Sequence, residues 1–202
     1  MKPSLFMIFA EGFLDRIAAE RLAREVGLKV EGAVKDAGGI PEFWKSIGKY
    51  NEAAKQCGPI FALADHDSLE CVGPKLSEKL PARHPNLLLR LSVVELEAWL
   101  LADSERLGEH LSVSAAQFPS EPDKERDPKR TLVSLAARST KPSIKQGMVP
   151  RPGYKADRGP EYTAVMEDFI QRRWRPAEAA RRSPSLRRAI AALHAVRERG
   201  NS

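Results

Sequence analysis

The first apolar block, Leu5-Phe6-Met7-Ile8-Phe9-Ala10, carries no polar residue at alternate positions, so it predicts a strand buried on both faces. Glu11-Gly12 breaks it. Leu14, Ile17, Ala18, Leu22 and Val26 then fall on one helical face, and Gly27 is placed to stop that helix. Residues 28–34 read as a second strand, ended near Gly38-Gly39. Pro41 fits the first turn of another helix that runs to about Ala54 with Phe43, Trp44 and Ile47 inward. After Gly58-Pro59, residues 60–64 repeat the fully apolar strand pattern and stop at Asp65-His66-Asp67-Ser68. A short helix over residues 73–80 and a third apolar strand over residues 86–91 follow.

Apolar strands alternating with amphipathic helices predict an α/β fold, a parallel sheet covered on both faces. Beyond residue 92 the pattern turns helical. Residues 93–102 read as a helix, Asp103 as the cap of the next, and Asp127-Pro128 as another helix start. The prolines and glycines between residues 139 and 160 predict a long loop, and residues 162–199 read as mostly helical. The division expected is a metal-binding domain over residues 1–110 and a helical, basic extension over residues 111–202 packed on it.

Composition narrows the function classes. Of 202 residues, 42% are hydrophobic and 30% charged, so neither a disordered chain nor a membrane protein is expected. The first apolar run is too short for a signal segment and no other stretch spans a bilayer, which places the expected location in the cytoplasm, with no membrane partner. Cys57 and Cys71 lack zinc-ligand spacing and read as reduced thiols near the core. Residues 171–202 hold nine arginines against Glu178 and Glu198, a net of +7, whereas the preceding 170 residues sum to −1. That asymmetry suggests a polyanion such as nucleic acid without proving one, since an arginine-rich helix can simply be a solvated face.

The acids carry the chemistry. Glu11 follows the first buried strand, and Asp65 and Asp67 follow another, so a parallel sheet brings all three to one edge. Read singly, each is a helix-dipole or turn residue. Together they would repel one another unless a cation neutralised them, and oxygen-only ligands favour Mg²⁺ or Mn²⁺. In the apolar run 93–101, Glu95 and Glu97 project about 160° apart on a regular helix. A buried carboxylate there needs a cation: a metal, favoured for Glu97, or an arginine such as Arg90. His66 has a weaker claim to proton transfer. Lys129 either contacts a phosphate or stabilises developing charge, or is an ordinary first-turn lysine; Lys141, Lys145, Arg151, Lys155 and Arg158 suit a clamp on a nucleic-acid backbone and a solvated loop equally. No phosphate-cradling glycine loop or nucleophile elbow is present.

Ile8-Phe9-Ala10-Glu11-Gly12 followed by Ala64-Asp65-His66-Asp67 resembles the TOPRIM domain of primases, topoisomerases and overcoming-lysogenization-defect nucleases. Glu97-Ala98-Trp99-Leu100-Leu101-Ala102-Asp103, Asp127-Pro128-Lys129, Tyr154-Lys155 and Ser183-Pro184-Ser185-Leu186 extend the likeness to a family of small TOPRIM-like proteins of uncharacterised role. The resemblance implies a Rossmannoid sheet and Mg²⁺ on Glu11, Asp65 and Asp67, with Glu97 added. It also implies a nuclease acting on RNA or DNA, of the kind that partners an AAA-type ATPase in phage defence. Phe13-Leu14-Asp15 departs from the more polar segment usual after Glu-Gly. The alternatives are a non-catalytic module that binds an ATPase or nucleic acid, and a metal-dependent phosphatase or phosphotransferase.

Overall fold

The computed structural model describes residues 6–65, 80–92 and 95–200. Four parallel strands, β1 (Met7–Ala10), β2 (Val34–Asp36), β3 (Ile60–Asp65) and β4 (Leu87–Ser92), form one sheet in the order β2-β1-β3-β4. Helices α1 (Phe13–Glu25) and α2 (Ile40–Cys57) connect the first three strands. The fold is therefore α/β, with an all-parallel sheet flanked by helices.

Successive residues of β1, β3 and β4 enter different cores, which explains their apolar runs. Ile8, Phe61, Leu63 and Leu88 point toward α1 and the C-terminal helices. Phe9, Ile60, Ala62, Ala64, Leu87 and Leu89 point toward α2. On the α2 side Phe9 stacks on Phe43 and Tyr50, with ring centroids 4.7 and 3.7 Å away.

The second half is helical: α3 (Glu97–Leu101), α4 (Ser104–Leu111), α5 (Pro128–Ala136), α6 (Pro142–Met148), α7 (Tyr162–Arg172), α8 (Pro176–Ala179) and α9 (Pro184–Gly200). It shares the α1-side core through Trp99, Leu132, Met166, Phe169, Trp174, Leu186 and Leu193. Asp103 and Asp127 cap α4 and α5 through the backbone N–H groups of Arg106 and Arg130. Asp103 also pairs with Arg175 at 2.6 Å, pinning α4 to the start of α8.

Four details differ from the sequence reading. The second strand is Val34–Asp36, not residues 28–34: Gly27 ends α1 at φ 74°, and the N–H groups of Glu31 and Gly32 both donate to the Phe6 carbonyl, which bends the chain before pairing begins. The expected loop 139–160 contains α6, because Pro142 opens a helix and Gly147 lets Glu161 pack closely. α3 starts only at Glu97, after a turn at Glu95-Leu96, with residues 93 and 94 outside the described set. Cys57 is exposed at the end of α2 rather than near the core. The helix expected over residues 73–80 lies outside the described residues apart from Leu80, as does Cys71. Among the described residues no helix is long and apolar enough to cross a membrane.

Candidate metal centre

Strand order explains where a site belongs. From β1 the chain moves to β2 on one side, and from β3 to β4 on the other, so the direction reverses between β1 and β3. Open α/β sheets bind ligands outside the carboxyl ends of the strands at such a reversal. Glu11 is the residue after β1, and Asp65 is the last residue of β3. The Glu11 N–H donates to the Leu63 carbonyl at 2.9 Å, and the Asp65 N–H donates to Glu11 Oε2 at 3.0 Å. The two acids are thus joined at the switch point.

Asp65 Oδ1 is held from the next strand and the next helix. It accepts from Ser92 Oγ at 2.6 Å and from the Leu96 N–H at 2.8 Å. Burial, and then the Glu97 charge, push the Asp65 carboxyl up to about 8, although the Ser92 bond works the other way. Glu97 opens α3 and is 4% exposed. Its Oε1 accepts from Tyr162 Oη at 2.7 Å, and burial raises its pKa despite Lys129 and that hydrogen bond.

Sequence reasoning did not assign a role to Asp15. It sits in the first turn of α1, is 9% exposed, and its Oδ1 is buried with no hydrogen-bond partner. Burial raises its pKa well above the ordinary carboxylate range, and the charges of Asp65, Glu11 and Glu97 raise it further. A signal existed: Asp15 precedes Ala18, Ala19 and Leu22 by three, four and seven residues, so it shares their buried face.

The expected buried acid–cation pair is present, with a different division of partners. Glu95 meets Lys129: Glu95 Oε1 lies 2.8 Å from Lys129 Nζ, and Oε2 accepts from the Lys129 N–H at 2.9 Å. Glu97 Oε1 lies 3.9 Å from the same ammonium. Burial alone would lower the Lys129 pKa, but Glu97 and Glu95 together raise it above the ordinary lysine value. Lys129 therefore holds two carboxylates. Beside it opens a hollow of about 680 Å³ bordered by Glu95, Arg126, Arg130, Pro150 and Asp157.

Asp67 and His66 lie outside the described residues. Among the described residues no group of three or more His, Cys, Asp or Glu side chains is arranged to hold a metal ion. The donor chemistry nevertheless fits a hard cation. Glu11, Asp15, Asp65 and Glu97 offer oxygen alone, their charges oppose one another, and one buried oxygen is orphaned.

The basic residues are distributed differently from a single binding face. Arg175 pairs with Asp103 and Glu105, Arg181 with Glu178, and Arg172 with Asp168, while Arg197 donates to the Val26 carbonyl. Much of the C-terminal charge is thus engaged within the fold. On the 149–160 segment, Tyr154 is 71% exposed, and the Arg158 guanidinium lies 5.5 Å from the centroid of the Tyr162 ring. Lys141 precedes α6 and Lys145 lies on it, whereas Arg151 and Lys155 are exposed. Neither a protein-family model, a curated protein nor a solved structure matches the chain.

Proposed function

We propose that the chain is a TOPRIM-like, Mg²⁺-dependent nuclease cleaving RNA or DNA phosphodiesters. The observation that supports it best is the joining of Glu11 and Asp65 at the sheet's switch point, where the charges of Glu11 and Glu97 raise the proton affinity of Asp15 and Asp65. A site that pays this electrostatic cost is explained by a cation that relieves it. Glu11, Asp65, Asp67 and Glu97 would hold Mg²⁺ or Mn²⁺, and Asp15 adds an oxygen with no other use. The metal, when bound, supplies an activated water and neutralises charge on the phosphodiester oxygens.

The chain's own residues have separate tasks. Ser92 and the Leu96 N–H fix the Asp65 carboxylate, and Tyr162 fixes Glu97. Lys129 anchors Glu95 and Glu97 and faces the adjoining hollow, whose Arg126 and Arg130 suit a phosphate backbone. In this reading the protein works in the cytoplasm on nucleic acid, and its resemblance to phage-defence effectors makes an AAA-type ATPase the natural partner. A non-catalytic module is the second reading, and the engagement of Lys129 with two acids favours it, since that cation is occupied internally.

The deciding experiment is incubation of purified protein with total RNA and with plasmid DNA in Mg²⁺, Mn²⁺ or EDTA, beside Asp65→Asn. Metal-dependent cleavage that the variant loses supports the nuclease. Cleavage undiminished in both Asp65→Asn and Glu11→Gln would remove the centre from the mechanism. No cleavage, with ATPase or nucleic-acid binding retained, would favour the module.

A further inference from the structure

We propose that Arg83, Arg90 and Arg188 form a phosphate-binding site on the flank of β4, separate from the carboxylate centre. Arg90 lies on β4 opposite Leu63, on the side of the strand shared with Leu88 and Ser92. Helix α9 packs on β4, and Leu88 enters the same core as Ala189 and Leu193. Arg188 precedes Ala189 on α9, and Arg83 stands in the turn before β4; both are exposed, whereas Arg90 is half-buried.

Arg90 is poorly satisfied by the protein. Its Nη1 donates to the carbonyl of its own neighbour Leu89 at 2.8 Å, and its buried Nε has no partner. The ion pairs seen between described residues do not include Arg83, Arg90 or Arg188. The chain supplies acids to arginines elsewhere: Asp168 to Arg172, Asp103 to Arg175, Glu178 to Arg181. Burial lowers the proton affinity of Arg90, and the charges of Arg83 and Arg188 lower it further.

A tetrahedral oxyanion answers each of these features. A single carboxylate presents two oxygens in one plane, whereas a phosphoryl group presents three or four oxygens to guanidinium groups arriving from a strand, a turn and a helix. Arg90 and Ser92 are two residues apart on one face of β4, about 7 Å of strand. Ser92 in turn holds Asp65. The phosphate is either a free phosphoryl ligand or one group of a polynucleotide backbone.

The test uses the full chain in EDTA, with inorganic phosphate and a short oligodeoxythymidine strand as probes, against chloride at equal ionic strength. Phosphate should raise the melting temperature of the wild type, and Arg188→Gln or Arg83→Gln should weaken the apparent affinity about tenfold, the worth of one charge-assisted hydrogen bond. Without ligand, Arg188→Gln should melt no lower than the wild type, because it removes a like charge; an arginine serving only the fold would lower it. Asp65→Asn should respond to both probes as the wild type does, which separates this site from the carboxylate centre. A response to inorganic phosphate identifies a free phosphoryl ligand, and an arginine-dependent response to the strand alone identifies a polymer backbone. Equal responses in wild type and both arginine variants, or no response to either probe, would overturn the site.

Discussion

Replacing Asp65 by asparagine should stabilise the metal-free protein at neutral pH, which is the reverse of the usual result for a buried hydrogen-bonded aspartate. Burial and the Glu97 charge move the Asp65 carboxyl from 3.8 to about 8 in the folded chain. Below pH 4 the carboxyl is neutral in both states and contributes nothing. Between pH 4 and 8 the unfolded chain releases the proton while the folded chain keeps it, so stability falls as pH rises. At pH 7 the medium stands about three pH units above the unfolded pKa, a cost on the order of 4 kcal/mol. Asparagine removes that cost, and its Oδ1 still accepts from Ser92 Oγ and the Leu96 N–H. Its amide N–H groups need partners, which takes back about 1–2 kcal/mol and leaves a net gain of about 2–3 kcal/mol. Urea unfolding followed by tryptophan fluorescence suits the measurement, since Trp99 and Trp174 are fully buried. In EDTA the gain should be largest above pH 7 and vanish toward pH 4. A variant no more stable than wild type at pH 7, or a difference that ignores pH, would refute the electrostatic account. Millimolar Mg²⁺ should then stabilise the wild type and not Asp65→Asn, since only the former regains a ligand.

Other outcomes follow from named contacts. Tyr162→Phe removes the hydroxyl that donates to buried Glu97 and should cost about 1.5–3 kcal/mol in urea unfolding, whereas Tyr154→Phe at its exposed site should change stability by less than about 0.5 kcal/mol. Lys129→Met should destabilise by about 2–4 kcal/mol, and pairing it with Glu95→Gln should recover more than about 1 kcal/mol of the sum in a double-mutant cycle. Gly159→Ala should destabilise by more than about 2 kcal/mol, because its Cβ would run into the Gly147 carbonyl and the Met148 backbone, which α6 cannot easily move. Its thermal midpoint, compared with that of Gly153→Ala, where the cost is φ 85° and not a clash, checks the distinction.

The α/β pattern and the edge that carries the acids were legible because they rest on local regularities. A strand buried on both faces must be apolar throughout, and the residue ending it lies at the sheet's edge whatever the tertiary detail; this placed Glu11 and Asp65 from sequence alone. What the sequence concealed depends on contacts between distant segments. Glu95 and Glu97 read as one helix seen from two sides, but a turn at Leu96 sends Glu95 to Lys129 and Glu97 to Tyr162, residues 34 and 65 positions away. The Arg90 pairing weighed for these acids gives way to Lys129, which meets both of them. Asp15 shows the sharper lesson. Its heptad-like relation to Ala18, Ala19 and Leu22 marked it as inward-facing, and a carboxylate on an apolar helix face is costly enough to require a reason. Periodicity applied to polar residues as strictly as to apolar ones would have placed it beside Glu11 and Asp65. The same rule argues that a buried polar atom of an ionisable side chain left without a partner, Asp15 Oδ1 at the sheet's edge or Arg90 Nε on its flank, points to a ligand of opposite sign.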